Sequence, residues 1–130
     1  MNTPKVPISW GELFDKITIL QIKLDTLTSK KALENVEREH KQLQAIFIRF
    51  FSENAQANQL LVDLKPINQH LWDIEDKIRE CERNNAFDTT FIELARSVYI
   101  TNDKRAQLKK DINLHTGSTY VEEKSYENYN

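Results

Sequence analysis

Residues 9–28 read SWGELFDKITILQIKLDTLT, and the spacing within this stretch points to the fold class. Its apolar side chains recur at alternating steps of four and three residues, at Leu13, Ile17, Leu20, Leu24 and Leu27. Such steps place side chains on one face of an α-helix. Ser9 and Glu12 have the spacing of a capping box, in which the serine caps the first turn and the glutamate reaches back. The pattern predicts an amphipathic helix that begins at Ser9 and ends near Thr28.

The same spacing recurs three more times along the chain. The second helix is predicted from Leu33, Val36, His40, Leu43, Phe47 and Phe50. The third is predicted from Leu60, Leu64, Ile67, Leu71, Ile74, Ile78 and Cys81, and the fourth from Phe91, Leu94, Ala95 and Val98. Because the chain has only two glycines and three prolines, it lacks the turn residues that most β-folds need repeatedly. We therefore expect an all-α fold, an antiparallel bundle of about four helices.

Local signals suggest where these helices begin and end. Pro66 lies inside the third pattern, which predicts a kink or a helix start near residue 64. Asp88 is placed to cap the fourth helix, and Gly117 to end it. We expect a helical bundle domain over residues 1–117, with residues 1–8 as an extended arm. Residues 118–130 are predicted to form a polar, acidic, non-helical tail.

The composition excludes several classes of protein. A net charge of −2 gives no overall attraction to nucleic acid or to anionic lipid. No apolar run approaches the roughly 18 residues that a membrane span requires. The single cysteine, Cys81, permits no internal disulfide and has the spacing of a buried core side chain. We expect a cytoplasmic protein without a nucleic-acid or membrane partner.

The first helix carries a polar line between two apolar strips. Helical spacing places Glu12, Lys16 and Lys23 on this line, with the main seam on one side. Ile19 and Ile22 lie beyond its other side. Apolar strips on both flanks indicate contacts on both flanks. Ile19 and Ile22 are therefore expected to pack against another helix or in a dimer interface.

The third and fourth helices also carry polar side chains beside or within their seams. On the third helix these are Asn68, Trp72, Glu75 and Arg79; on the fourth, Asn102, Arg105 and Lys109 follow the apolar face, with Asn113 at its edge. A buried cation without a partner costs several kcal/mol, so carboxylates such as Glu75, Asp76 or Glu12 should lie nearby. Three interpretations remain open: an ion-pair network, a polar pocket for a small anion, or a surface for a protein partner.

Metal and cofactor chemistry find little support. Residues 37–40 contain the Glu-x-x-His spacing of di-iron helical bundles, but those proteins need a second such motif and two further inward glutamates. His40 lies on the apolar seam and is interpreted as a core histidine. His70 and His115 are interpreted as surface groups. We expect no metal site and no cofactor.

One segment of the second helix is apolar nearly all round. Residues 45–51, AIFIRFF, combine core spacing with further apolar side chains. Exposed patches of this kind are uncommon in monomers, which favours a homodimer. The candidate interface comprises Ile19, Ile22, Ile46, Phe50 and Phe51.

Four ordered motifs connect the chain to a known family. They are VPISWGELFDKITIL at residues 6–20, LWDIED at 71–76, VY-x-TND at 98–103 and VEEKSY at 121–126. The set resembles a family of short bacterial and phage-borne helical proteins of unknown function. The resemblance implies a helical domain of this size and no established activity, and it supplies no catalytic residues. Gln21 stands where members often have glutamate, so no role is carried over to that position.

A second likeness is to the small helical chorismate mutases. Those enzymes also set cations into the seam of the first helix. The likeness implies that a dicarboxylate would bind to Lys16, Lys23, Arg79, Arg105 and Lys109, although the arginine pattern expected on the first helix is absent. Two hypotheses result. The first is a non-enzymatic interaction or accessory module, homodimeric or with another protein partner. The second is a small-anion site, enzymatic or sensory.

Overall fold

A computed structural model describes residues 1–129 and contains four helices. They are α1 (Trp10–Thr26), α2 (Lys30–Phe51), α3 (Ala55–Arg83) and α4 (Thr89–Thr116). No strand occurs within the described residues, so the predicted all-α bundle is confirmed. No helix in this part of the chain is long and apolar enough to cross a membrane.

Each helix begins at a side chain that accepts from its first turn. The caps are Ser9, Ser29, Asn54 and Asp88. Capping of this kind satisfies amide groups that have no partner within the helix. Gly117 ends α4 in the left-handed conformation with φ of 65°, as its position predicted. Only half of the predicted capping box forms, because the Glu12 carboxylate turns to Lys109 on α4.

Helix α3 continues without interruption through Pro66. The expected helix start near residue 64 is therefore wrong, and a bend within a continuous helix is the alternative that remains. Proline removes the amide that would bond to the carbonyl four residues earlier, at Val62. Both Pro66 and Val62 are exposed, so water can satisfy that carbonyl. The helical structure is interrupted instead at residues 52–54, between α2 and α3. There Asn54 caps α3 by accepting a hydrogen bond from the Ala57 amide.

Helix α1 is central, since it packs against all three other helices, while α3 and α4 form a long hairpin. The core lies where Leu13, Phe14 and Ile17 of α1 meet the C-terminal end of α2. The Phe14 ring lies 5.1 Å from Phe47 and 5.5 Å from Phe51. Helices α3 and α4 complete the core through Ala57, Leu61, Leu64 and Ile112.

Two residues of the candidate interface belong to this interior instead. Ile22 is 1% exposed and Phe51 is 8% exposed, so neither can contact a second chain. For Ile22 the alternative expectation, packing against another helix, is correct. Phe50, which was placed in the seam of α2, is 55% exposed, because Phe51 follows Phe47 by the four-residue step that points inward. Cys81 is only partly buried.

The distal half of the hairpin is the least covered part of the bundle. No side chain between residues 75 and 100 is buried, and we call this segment the outer hairpin. Two contacts indicate where α1 leads: Thr18 contacts Asn68, whereas Asp25, seven residues further along α1, pairs with Lys65, which precedes Asn68. The C-terminal end of α1 therefore leads away from the outer hairpin.

The C-terminal tail returns along α4 in a non-helical conformation. Ser118 follows the cap and accepts from the Trp10 amide at 3.2 Å. Further along, the ring of Tyr129 lies 5.5 Å from that of Tyr99. A hydrogen bond with Asp103 raises the pKa of the Tyr129 hydroxyl. The tail is non-helical, as predicted, and it packs on the bundle.

Candidate functional site

A buried carboxylate, Asp15, joins three helices at the middle of the bundle. Its side chain is 4% exposed. Arg105 of α4 binds it with two nitrogens, Nε at 2.9 Å from Oδ1 and Nη2 at Oδ2. Asn68 of α3 donates to Oδ1 at 2.9 Å. Paired donation from a planar guanidinium is among the strongest and most directional contacts available to a carboxylate.

Thr18 completes the link between α1 and α3. Its hydroxyl donates to the Asp15 backbone carbonyl at 2.8 Å and accepts from Asn68 Nδ2 at 2.8 Å. Asn68 and Thr18 are themselves buried, so each would be costly without a partner. The three side chains thus satisfy one another within the bundle.

Lys109 forms the second half of the cluster. Its side chain is 8% exposed, and Nζ contacts the Glu12 carboxylate and lies 3.8 Å from Asp15 Oδ2. The tail adds Glu122, whose carboxylate lies 3.3 Å from Nζ. Two cations therefore meet three carboxylates, and a third cation, Lys124, lies 3.8 Å from Glu122. We call these five side chains the ionic cluster: Glu12, Asp15, Arg105, Lys109 and Glu122.

The electrostatics of the cluster favour the charged form of Arg105. The hydrogen bond to Asp15 raises the pKa of Arg105, which outweighs the opposing effect of burial. A cation held this way by its own chain is already neutralised. The arrangement matches the ion-pair interpretation of the α4 cations.

The first turn of α1 lies unusually close to the last turns of α4. The Gly11 amide donates to Asn113 Oδ1 at 2.7 Å. A Cβ atom on Gly11 would lie 2.8 Å from the Lys109 carbonyl oxygen and 2.9 Å from Asn113 Oδ1. Only glycine allows this approach. The contact sets the height at which Glu12 and Asp15 meet α4.

A groove of about 470 Å³ opens beside the ionic cluster. All four residues of the polar line predicted on the third helix border it, together with Arg105 and three neighbours. The full lining is Ile19, Asn68, Leu71, Trp72, Glu75, Asp76, Arg79 and Arg105. Glu75 and Arg79 approach to 3.7 Å and are largely exposed. The Trp72 indole nitrogen is buried without a hydrogen-bond partner within residues 1–129.

Other predicted site residues lie apart from the cluster. Lys16 pairs with Glu39 of α2 at 3.3 Å on the surface, where both side chains are half exposed. Lys23 is partly exposed in the last turn of α1. Asn102 is the exception: it lines a small cavity with Arg105, Lys109 and Glu122, and a second cavity with Tyr99 and Tyr126. The structure therefore brings together Glu12, Arg105 and Lys109 in the cluster, and Asn68, Trp72, Glu75 and Arg79 in the groove.

The central residue, Asp15, was not among the predicted site residues. Gly11, Asp15, Thr18 and Ile22 are spaced by four, three and four residues and are all buried. This spacing is a second helical seam on α1, made of small and polar side chains. Hydrophobic periodicity overlooks such a seam because only Ile22 in it is large and apolar.

Comparison with known proteins gives one match. A family model described as "Family of unknown function (DUF6165)" matches residues 4–129. The chain belongs to this family. The matched region includes all four helices and the tail, so the contact between Lys109 and Glu122 lies inside the family's domain. No curated protein and no solved structure matches the chain.

The contacts of the ionic cluster in this chain are ion pairs between its own side chains. Each carboxylate in it contacts a cation. No group of three or more side chains suited to a metal ion occurs within the described part of the chain. The cluster joins α1, α3, α4 and the tail at one point.

Proposed function

We propose that this family member is a non-enzymatic helical interaction module that docks onto protein through its outer hairpin. The supporting observation is the lack of any buried side chain from residue 75 to residue 100. This segment nevertheless carries many apolar side chains: Ile78, Cys81, Phe87, Phe91, Ile92, Leu94, Ala95, Val98, Tyr99 and Ile100. Helices in proteins depend on packing of their apolar faces, and large uncovered faces usually mark binding sites.

Exposure of the largest side chains supports the same proposal. Phe87 is 52% exposed and Ile92 is 56% exposed. The expected core face of α4, with Phe91, Ala95 and Val98, is only partly buried. Its polar continuation at Arg105 and Lys109 is the part that α1 covers. The covered half of α4 thus carries the ionic groups as well as the core residue Ile112, whereas the half without full cover is apolar, which suits docking of a further protein surface.

The small-anion alternative, including a chorismate-mutase-like enzyme, has weaker support. Arg105 borders the groove, but Asp15 already engages it. Glu75 and Asp76 line the same groove, and their two negative charges exceed the one positive charge of Arg79. A bound dicarboxylate would meet these acids without a free cation to offset them. A cytoplasmic setting, expected because no apolar run in the sequence approaches the length of a membrane span, belongs to the proposal as well.

Self-association tests the docking role directly. Ala95 lies between Phe91 and Val98 on the partly buried face of α4, so Ala95→Arg would place a long cation in the docking surface. We expect the wild type to sediment increasingly as a dimer as its concentration rises through the micromolar range. Ala95→Arg should weaken that association by about ten-fold or more, the usual effect of disrupting a central interface position.

The matched control is Ala45→Arg, the same change at an exposed alanine of α2. It should sediment like the wild type, and thermal melts should show that both variants fold. Equal dissociation constants for Ala95→Arg and the wild type would contradict docking through the outer hairpin. A wild type that stays monomeric at every concentration would contradict self-association.

A further inference from the structure

We infer that the outer hairpin docks on a second copy of this chain, with Glu75 of one copy opposite Arg79 of the other around a two-fold axis. The inference rests on the proposed function and adds the partner and the register. Both side chains belong to the line on α3 that borders the groove. Their side chains are 52% and 73% exposed, so they are available to a partner.

Helix α1 is too short to cover the whole length of α3. At 1.5 Å per residue, the 17 residues of α1 span about 25 Å, whereas the 29 residues of α3 span about 43 Å. The hydrogen bonds between α1 and the hairpin involve five hairpin side chains, all outside residues 75–100: Lys65, Asn68, Arg105, Lys109 and Asn113. The face of α3 that α1 covers near Asn68 therefore continues through the partly buried Trp72 to Glu75 and Arg79, which are exposed. A helix from another chain fits this continuation.

A two-fold axis between two copies of α3 makes every contact reciprocal. In a two-fold interface, if one residue contacts a second, the second contacts the first in return. When two copies of α3 cross antiparallel, residues whose numbers add to the same total face each other. Glu75 opposite Arg79 gives two reciprocal ion pairs, and the same register places Trp72 opposite Glu82. All four residues lie on one side of α3 because they are three or four positions apart.

The charges on α3 favour an antiparallel over a parallel arrangement of the two copies. If two copies of α3 ran parallel about the axis, Glu75 would face Glu75 and Arg79 would face Arg79. Like charges placed directly opposite each other repel. The antiparallel crossing instead pairs every one of these charges with its opposite. The pair within one copy, at 3.7 Å, does not prevent this, because a guanidinium has five donors and a carboxylate can accept several.

The α2 surface is the competing site for a second copy. Ile46 is 40% exposed and Phe50 is 55% exposed. Phe50 is partly covered by its own chain, since its ring lies 5.3 Å from Trp10 and 5.1 Å from the Arg49 guanidinium. The outer hairpin offers both the apolar area and the self-complementary charges, so we place the interface there.

The decisive experiment exchanges charges at the two positions and measures dissociation constants by sedimentation. E75R and R79E alone should each weaken the dimer about thirty-fold, because two attractive pairs become repulsive in each. The double variant E75R/R79E should regain wild-type affinity. An equimolar mixture of E75R and R79E should form a heterodimer of near wild-type affinity. In that heterodimer the two arginines of the E75R copy face the two glutamates of the R79E copy.

Two controls make the outcome specific. E34R reverses an exposed charge on α2, and Ile46→Asp disrupts the competing surface; both should leave the dimer intact. Dimers that are indifferent to E75R and R79E would overturn this register, and loss of the dimer in Ile46→Asp would move the interface to α2. If Ala95→Arg still breaks those dimers, the proposed function stands and only the register fails. A monomeric wild type would overturn the second copy as the partner, whereas docking of another protein on the outer hairpin would stand.

Discussion

Asp15→Ala is expected to lower the free energy of unfolding by about 3–5 kcal/mol, the usual cost of removing one partner from a buried ion pair. The substitution leaves the Arg105 guanidinium and Asn68 without their shared acceptor, and it removes the link between α3 and α4 through α1. For a chain of this length, such a loss lowers the melting temperature by roughly 10–15 °C. Thermal and urea unfolding at neutral pH measure it.

Two further variants separate the buried carboxylate from the cluster's outer charges. Glu122→Gln changes an acid that is 45% exposed, and we expect a loss below about 1 kcal/mol. Asp15→Asn keeps the shape but not the charge, and its cost should approach that of Asp15→Ala because Arg105 remains unneutralised. A melting temperature for Asp15→Ala within about 2 °C of the wild type would show that the cluster does not stabilise the fold.

Gly11→Ala is expected to destabilise the protein by about 2–3 kcal/mol, although alanine is the better helix former. The added Cβ would lie 2.8 Å from the Lys109 carbonyl oxygen, so α1 and α4 must separate. Overpacking of a tight contact costs about 1–3 kcal/mol, and it also stretches the hydrogen bond from Gly11 to Asn113. Urea unfolding should show a lower midpoint with an unchanged slope.

The other glycine of the chain provides the matched control. A Cβ on Gly117 meets nothing within 4 Å, but its φ of 65° disfavours alanine. Gly117→Ala should therefore cost about 1–2 kcal/mol, from backbone conformation alone. If Gly11→Ala proved neutral or stabilising, the close approach of α1 and α4 would be contradicted, because helix propensity alone favours alanine there by about 1 kcal/mol.

Much of the fold follows from local spacing. The four helices, the caps at Ser9 and Asp88 and the end at Gly117 were all predictable, because each depends on residues within a few positions of one another. The errors occurred where neighbours in space matter. Pro66 was expected to kink the third helix or to mark its start, and the start is wrong, because the exposure of Pro66 and Val62 lets α3 continue.

The candidate site was predictable only in part. The polar line of α3 and the cations of α4 were visible as departures from an apolar pattern, and the structure places the α3 line in one groove with Arg105. Asp15 was not visible in this way. It is one of several charged residues in the amphipathic pattern of α1. Its central position in the cluster depends on its contact with Arg105, 90 residues further along the chain.

The amino-acid sequence by itself determined the four helices, their caps and the need of Arg105 and Lys109 for partners, because helical geometry assigns every side chain to a face. Only the tertiary structure decided which faces meet. The short α1 crosses α3 near Asn68, which buries Asp15 and Ile22 and leaves the outer hairpin uncovered. The physical reason is that helix spacing is a local property, whereas the crossing depends on contacts such as that of Gly11 with Asn113, 102 residues apart.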